Sequence, residues 1–172
     1  MRIRIYELGK HQADWKAFTE EGDGSGLPIT VVYTTQEGTL AALKTAAALA
    51  RDLNARLGLI VTEVVPFRLP IDRPRVSVDF LKGRQDALVS KAGLAREEIR
   101  VQICVCRDTK ETLGRLLPTP SLVVLGGRRG PWPSREQRLQ TFLSRLGHHV
   151  IFVDAAAHQP ADEADLRFRE FL

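Results

Sequence analysis

The sequence is poor in the features that mark several protein classes. Its 172 residues contain 2 Cys and 1 Met, and 6% are aromatic. The two thiols, Cys104 and Cys106, are one residue apart, a spacing that builds neither a structural zinc site nor a Cys-x-x-Cys redox pair. No apolar run approaches the roughly 18 residues of a membrane span, so no membrane association is expected. Charge of one sign is also lacking: 25 Lys and Arg face 21 Asp and Glu, a net +4. The arginines are scattered among acids, which argues against a nucleic-acid partner. Met-Arg-Ile-Arg-Ile-Tyr lacks the apolar stretch of a secretory signal, so a cytoplasmic location with free, inert thiols is the expectation.

What is present is enough apolar residue for one core, 44% of the chain, in a length suited to one domain with short appendages. Residues 1–27 are polar and end in a Gly-rich joint before Pro28, and read as an N-terminal appendage. Residues 28–154 carry the periodic segments, and 155–172 form an acid-rich tail. Short β-branched runs at 29–33, 59–65, 121–125 and 150–153 predict buried strands. A fifth strand is expected at 99–106, where Ile99, Val101, Ile103 and Val105 alternate with Arg100, Gln102, Cys104 and Cys106, the pattern of a sheet edge.

Between these runs lie helical periods. Leu40, Leu43, Ala47, Ala50, Leu53 and Leu57 predict a helix over 39–57 stopped by Gly58. Val78, Leu81, Leu88 and Ala92 outline a weaker one interrupted by Gly83. Asp108 with Glu111, and Ser134 with Gln137, are capping-box pairs that open two more. Five strands alternating with four helices predict a three-layer α/β/α domain with a mainly parallel sheet.

In such sheets ligands bind beyond the carboxyl ends of the strands. Three places qualify: Thr34-Thr35, Val64-Val65, and the loop Gly126-Gly127-Arg128-Arg129-Gly130. Glycines that turn amides toward one point, a following helix start and two arginines suit a phosphate there, while the same loop also serves as a plain turn. It is neither a Walker loop nor Gly-x-Gly-x-x-Gly. Trp132, between two prolines, is expected as a plug over the helix start, with a lid over the site as the alternative. His148 and His149 are expected as a pair with partly exposed rings ahead of the last strand, tied to no catalytic motif.

The stretches Ile-Thr-Val-Val-Tyr-Thr-Thr-Gln-Glu-Gly-Thr-Leu-Ala-Ala-Leu, Leu-Gly-Leu-Ile-Val-Thr-Glu-Val-Val-Pro and Leu-Val-Val-Leu-Gly-Gly-Arg-Arg-Gly resemble the universal stress protein family over roughly residues 28–154. The resemblance implies a five-stranded, adenine-nucleotide-hydrolase-like fold with strand order 3-2-1-4-5. Nucleotide-binding members of that family carry Gly-x-x-Gly, nine residues, then Gly-Ser/Thr, together with an Asp at the end of strand one. Gly127, Arg128 and Gly130 match the first part, and Thr141 keeps the hydroxyl. Gln140 replaces the later glycine and Thr34 replaces the Asp. The nucleotide positions implied are therefore Thr34, Val64 against the base, Gly127, Arg128, Gly130 and Thr141.

With Thr34 and Gln140 departing from that pattern, the expectation is a non-catalytic stress or regulatory protein that binds a regulatory partner, with weak or no ATP binding and no required cofactor. The alternative is an ATP-binding or nucleotide-hydrolysing enzyme on the same scaffold. Of the two expected edge strands, Val150, Ile151, Phe152 and Val153 carry no charge before Asp154, which makes them unsafe as a bare edge. A homodimer paired through that strand is expected, with residues 1–6 or 166–172 as rival covers.

Overall fold

Strands form where β-branched residues run together, and helices form where alanine and leucine recur at three- and four-residue steps. The structure, a computed structural model, describes residues 3–8, 26–71 and 76–158. In chain order the elements are β1 (Arg4–Leu8), β2 (Gly26–Val32), α1 (Gln36–Asp52), β3 (Ala55–Val64), α2 (Val78–Lys91), β4 (Ile99–Cys106), α3 (Thr109–Leu116), β5 (Leu122–Gly127), α4 (Arg135–Arg145) and β6 (His149–Asp154). Short 3-10 turns occupy Arg96–Glu98 and Ala155–His158. The rest of the tail, including its apolar end at 166–172, and the Gly-rich joint before Gly26 lie outside the described residues, as does His11. Among the described residues no helix is long and apolar enough to cross a membrane.

The sheet order is β1-β4-β3-β2-β5-β6. Strands β2 to β6 run parallel to one another, so the expected order of five strands is present as β4-β3-β2-β5-β6. Alternation sends Val31, Leu59 and Ile103 to one face, under α1 and α2, and Val32, Ile60 and Cys104 to the other, under α3 and α4. The result is the three-layer α/β/α arrangement.

Two expectations about the edges are corrected. The N-terminal segment was expected outside the sheet, yet β1 pairs antiparallel with β4 in the register Arg4↔Val105 to Leu8↔Val101. Consequently β4 is an interior strand, not an edge, and every residue from Val101 to Cys106 is buried. Its alternation misleads because cysteine packs as a small hydrophobe. The side chain of Gln102 is enclosed as well. The N-terminal strand thus lies at the opposite side of the sheet from β6, the strand for which it was named as a rival cover.

The first helix also differs from the sequence expectation. Thr35 caps it by accepting a hydrogen bond from Gly38 N at 3.1 Å, and the helix ends at Asp52 rather than Leu57. Asn54, at φ 49°, turns the chain back, so Leu57 lies inside β3 and is buried. Asparagine tolerates that left-handed backbone better than most residues, and it does here what Gly58 was expected to do. By contrast α2 runs unbroken through Gly83, where an added Cβ would meet nothing within 4 Å among the described residues.

Candidate functional site

The strand order reverses between β2 and β5, because α1 carries the chain from β2 toward β3 while β5 lies on the other side. This is the crevice where open α/β sheets take ligands. Here the start of α1 fills it. A Cβ on Gly126 would stand 1.7 Å from Gly38 O, and one on Gly38 would stand 2.5 Å from Gly126 O. Neither glycine has positive φ, so close helix-to-strand contact is what requires them. Thr34 Oγ1 donates to Gly126 O at 2.5 Å, and Thr34 N donates to the buried Thr39 Oγ1 at 3.0 Å. The hydroxyl expected near a nucleotide is therefore a tie between β2 and β5.

The remaining expected positions divide. Gly127 is buried, and a Cβ there would meet Glu136 Cβ and Cγ at 3.0 Å and Phe152 Cζ at 3.2 Å. Arg128 Nη2 pairs with Glu37 Oε2 at 2.9 Å, bridging the loop to the first turn of α1. Arg129 stacks over the Phe152 ring, 5.5 Å from its centroid. Gly130 is exposed, lacks positive φ, and among the described residues has only Trp132 O, at 3.9 Å, near a built Cβ. Val64 ends β3 with 41% of its surface exposed.

Thr141 is separate from all of these. Its exposed hydroxyl donates to Gln137 O at 3.0 Å, inside α4. It follows the cap, Ser134, by seven positions, about 10 Å along the axis at roughly 1.5 Å per residue. The hydroxyl at the helix start belongs to Ser134, which accepts from Gln137 N at 3.2 Å while Gln137 Oε1 accepts from Ser134 N at 2.8 Å. Spacing counted from Gly130 overshoots because the chain enters the helix directly after Pro133-Ser134. At Asp108 the expected box is one-sided: Asp108 Oδ1 accepts from Glu111 N at 2.7 Å, but Glu111 itself pairs with Arg115 at 2.9 Å.

The two helix starts facing the crevice supply their own negative charge. Glu37 sits in the first turn of α1 and Glu136 in the first turn of α4, so each positive helix end already has a carboxylate. Trp132, expected to plug the helix start, is instead 83% exposed. Both thiols are buried, and burial, followed by the neighbouring Cys106, pushes Cys104 up to about 12.

His148 departs from the expected exposed pair. It is only 5% exposed, and among the described residues neither ring nitrogen has a hydrogen-bond partner. Burial lowers its pKa below the ordinary 6.5. The unfolded chain then binds the proton more readily than the folded one, so stability is full above the unfolded value and falls as pH drops through it. The melting temperature is expected to decline between pH 7 and pH 5.5. His148→Phe should flatten that part of the profile, and an unchanged slope in the variant would assign the decline to other groups.

Sequence reasoning missed two constellations. Arg107 donates to the carbonyls of Val65, Pro66 and Leu69, clasping the loop after β3. On the α1–α2 face of the β2 end, a cavity of about 80 Å³ opens between Tyr33, Gln36, Arg84, Ala87, Leu88 and Lys91. Only Arg84, Ala87, Leu88 and Lys91, at helical spacing on α2, could have been grouped beforehand.

No family model and no curated protein matches this sequence. Among solved structures, a crystal structure of a universal stress protein in complex with cAMP aligns with 74% of this chain and 97% of its own, at 15% identity and a TM-score of 0.46.

Proposed function

We propose that this chain is a non-catalytic regulatory protein of universal-stress-protein type, which acts through binding and holds nucleotide weakly or not at all. The observation that carries the reading is the backbone contact between Gly38 and Gly126, which occupies the crevice between β2 and β5. The groups that would reach a phosphate beside it have internal partners: Thr34 on Gly126 O, and Arg128 on Glu37. Calorimetry of the full chain with Mg-ATP, and separately with cAMP, is expected to give dissociation constants weaker than micromolar. Micromolar or tighter binding of either would overturn the reading.

The binding role includes self-association. Strand β6 pairs with β5 on one side, and among the described residues nothing pairs with its other side. Val150, Ile151 and Phe152 on it are only partly buried. Two copies related by a two-fold axis would satisfy both rows of backbone groups. Light scattering coupled to size exclusion is expected to give a dimer at tens of micromolar, and a monomer would end this part of the proposal. Only trimming after Ala155 isolates the tail as a rival cover, because removing residues 1–27 would strip β1 from β4.

A further inference from the structure

Among the described residues the cavity beside the β2 end shares no lining residue with the glycine loop, and two of the six that line it are cations. Arg84 and Lys91 come from α2, Tyr33 follows β2, Gln36 opens α1, and Ala87 and Leu88 add apolar lining. Among the described residues its lining contains no carboxylate. The acids adjacent in sequence to the lining face elsewhere: Glu37 pairs with Arg128 at 2.9 Å and Asp86 with Arg96 at 3.2 Å. Two cations sharing one small cavity repel each other, and an anion between them would relieve that repulsion.

One of these donors, Arg84, is also held in place. Arg84 Nη2 donates to the Tyr33 phenol, and its guanidinium lies 5.5 Å from that ring's centroid. This fixes the planar fork while leaving most of its N–H groups available. Because the phenol oxygen accepts from Arg84, its own O–H is free to donate, and the Gln36 amide adds a further donor. A volume of about 80 Å³ exceeds the roughly 10–15 Å³ that one water needs and falls well short of the roughly 300 Å³ where sites for drug-sized ligands begin.

We propose that this cavity binds a small tetrahedral oxyanion, either inorganic phosphate or the phosphoryl group of a small monoester, between Arg84 and Lys91. Arg84 supplies the fork, Lys91 the second charge, and Tyr33 positions Arg84. The site goes beyond the function proposed above and does not depend on it.

The test is thermal unfolding and calorimetry of the full chain with inorganic phosphate, against chloride at equal ionic strength, with glycerol phosphate as the monoester arm. Phosphate is expected to raise the melting temperature saturably where chloride does not. Arg84→Gln and Lys91→Gln should each weaken binding by roughly tenfold or more, as expected for loss of a charge-assisted hydrogen bond. Lys91→Gln, at the exposed end of α2, keeps the test decisive if Arg84→Gln unfolds. Tighter binding of glycerol phosphate would identify a monoester as the ligand, and equal or weaker binding would identify phosphate itself. No response beyond that to chloride, or binding unaffected by Lys91→Gln, would overturn the proposal. So would phosphate binding lost in Arg128→Gln and kept in Lys91→Gln, which would locate the anion at the glycine loop. Tight Mg-ATP binding that survives Lys91→Gln would refute the nucleotide reading and leave this one standing.

Discussion

Gly126→Ala is expected to destabilise the native state by about 3 kcal/mol or more, at the upper end of what overpacking costs. The added methyl would stand 1.7 Å from Gly38 O and 2.4 Å from Gly38 C, so one backbone must move. Neither moves easily. Strand β5 is hydrogen-bonded on both sides, to β2 and to β6, and α1 is seated on the sheet by the buried Ala42, Leu43, Ala46 and Ala47. Gly38→Ala should behave similarly, since its Cβ would meet Gly126 O at 2.5 Å. Gly130→Ala is the contrast: with no positive φ and nothing nearer than 3.9 Å, it should stay within about 0.5 kcal/mol of the parent. Urea denaturation of the three variants checks the set. Native-like stability in Gly126→Ala would mean that helix and strand do not cross this closely.

This contrast bears on how a glycine-rich loop reads in a sequence. Gly126, Gly127 and Gly130 look alike as letters, and the phosphate interpretation drew on Gly127 and Gly130. In the structure Gly126 admits the start of α1, Gly127 admits Glu136, and Gly130 meets no packing demand. Only the packing partner separates these roles, and that of Gly126, Gly38 at the start of α1, lies 88 positions earlier in the chain. Spacing rules fail at Thr141 for a related reason: a count along the chain carries no record of where the helix begins, whereas the local Ser134-x-x-Gln137 signature does.

The parallel core was legible because strands buried on both faces must be continuously apolar, and the runs through Val31, Ile60 and Val124 satisfy that. Helix limits were less so. Leu53 and Leu57 continue the stripe of α1, but a stripe persists through a left-handed turn at Asn54 that periodicity does not register. Strand β1 was legible as an alternating segment that could lie along a sheet edge, but its own alternation does not say which edge, and it pairs with β4 rather than β6. The Tyr33–Arg84 contact joins residues 51 positions apart, and no local pattern announces it.

The loop after β3 depends on one side chain. Arg107 Nη1 donates to Val65 O at 2.8 Å and to Pro66 O, Nη2 donates to Leu69 O at 2.7 Å, and the guanidinium lies 5.3 Å from the Phe67 ring centroid. These bonds hold the chain so that Val65 and Ile71 stay buried against Val105. Arg107→Ala is expected to lose about 2–3 kcal/mol, because hydrogen bonds from a charged donor are worth roughly 1.5–3 kcal/mol each and the carbonyls nearest the surface regain water. Arg107→Lys should recover less than half of that loss, since a single ammonium cannot span carbonyls that a planar fork reaches from two nitrogens. The change should also be local. Trypsin cleavage after Arg68 is expected to accelerate in both variants under conditions where the rest of the sheet stays folded, because a loop released from its clasp opens without global unfolding. Equal stability of Arg107→Lys and the parent would show that charge alone holds the loop, and unchanged cleavage at Arg68 in Arg107→Ala would show that the apolar contacts of Val65 and Ile71 hold it without the arginine.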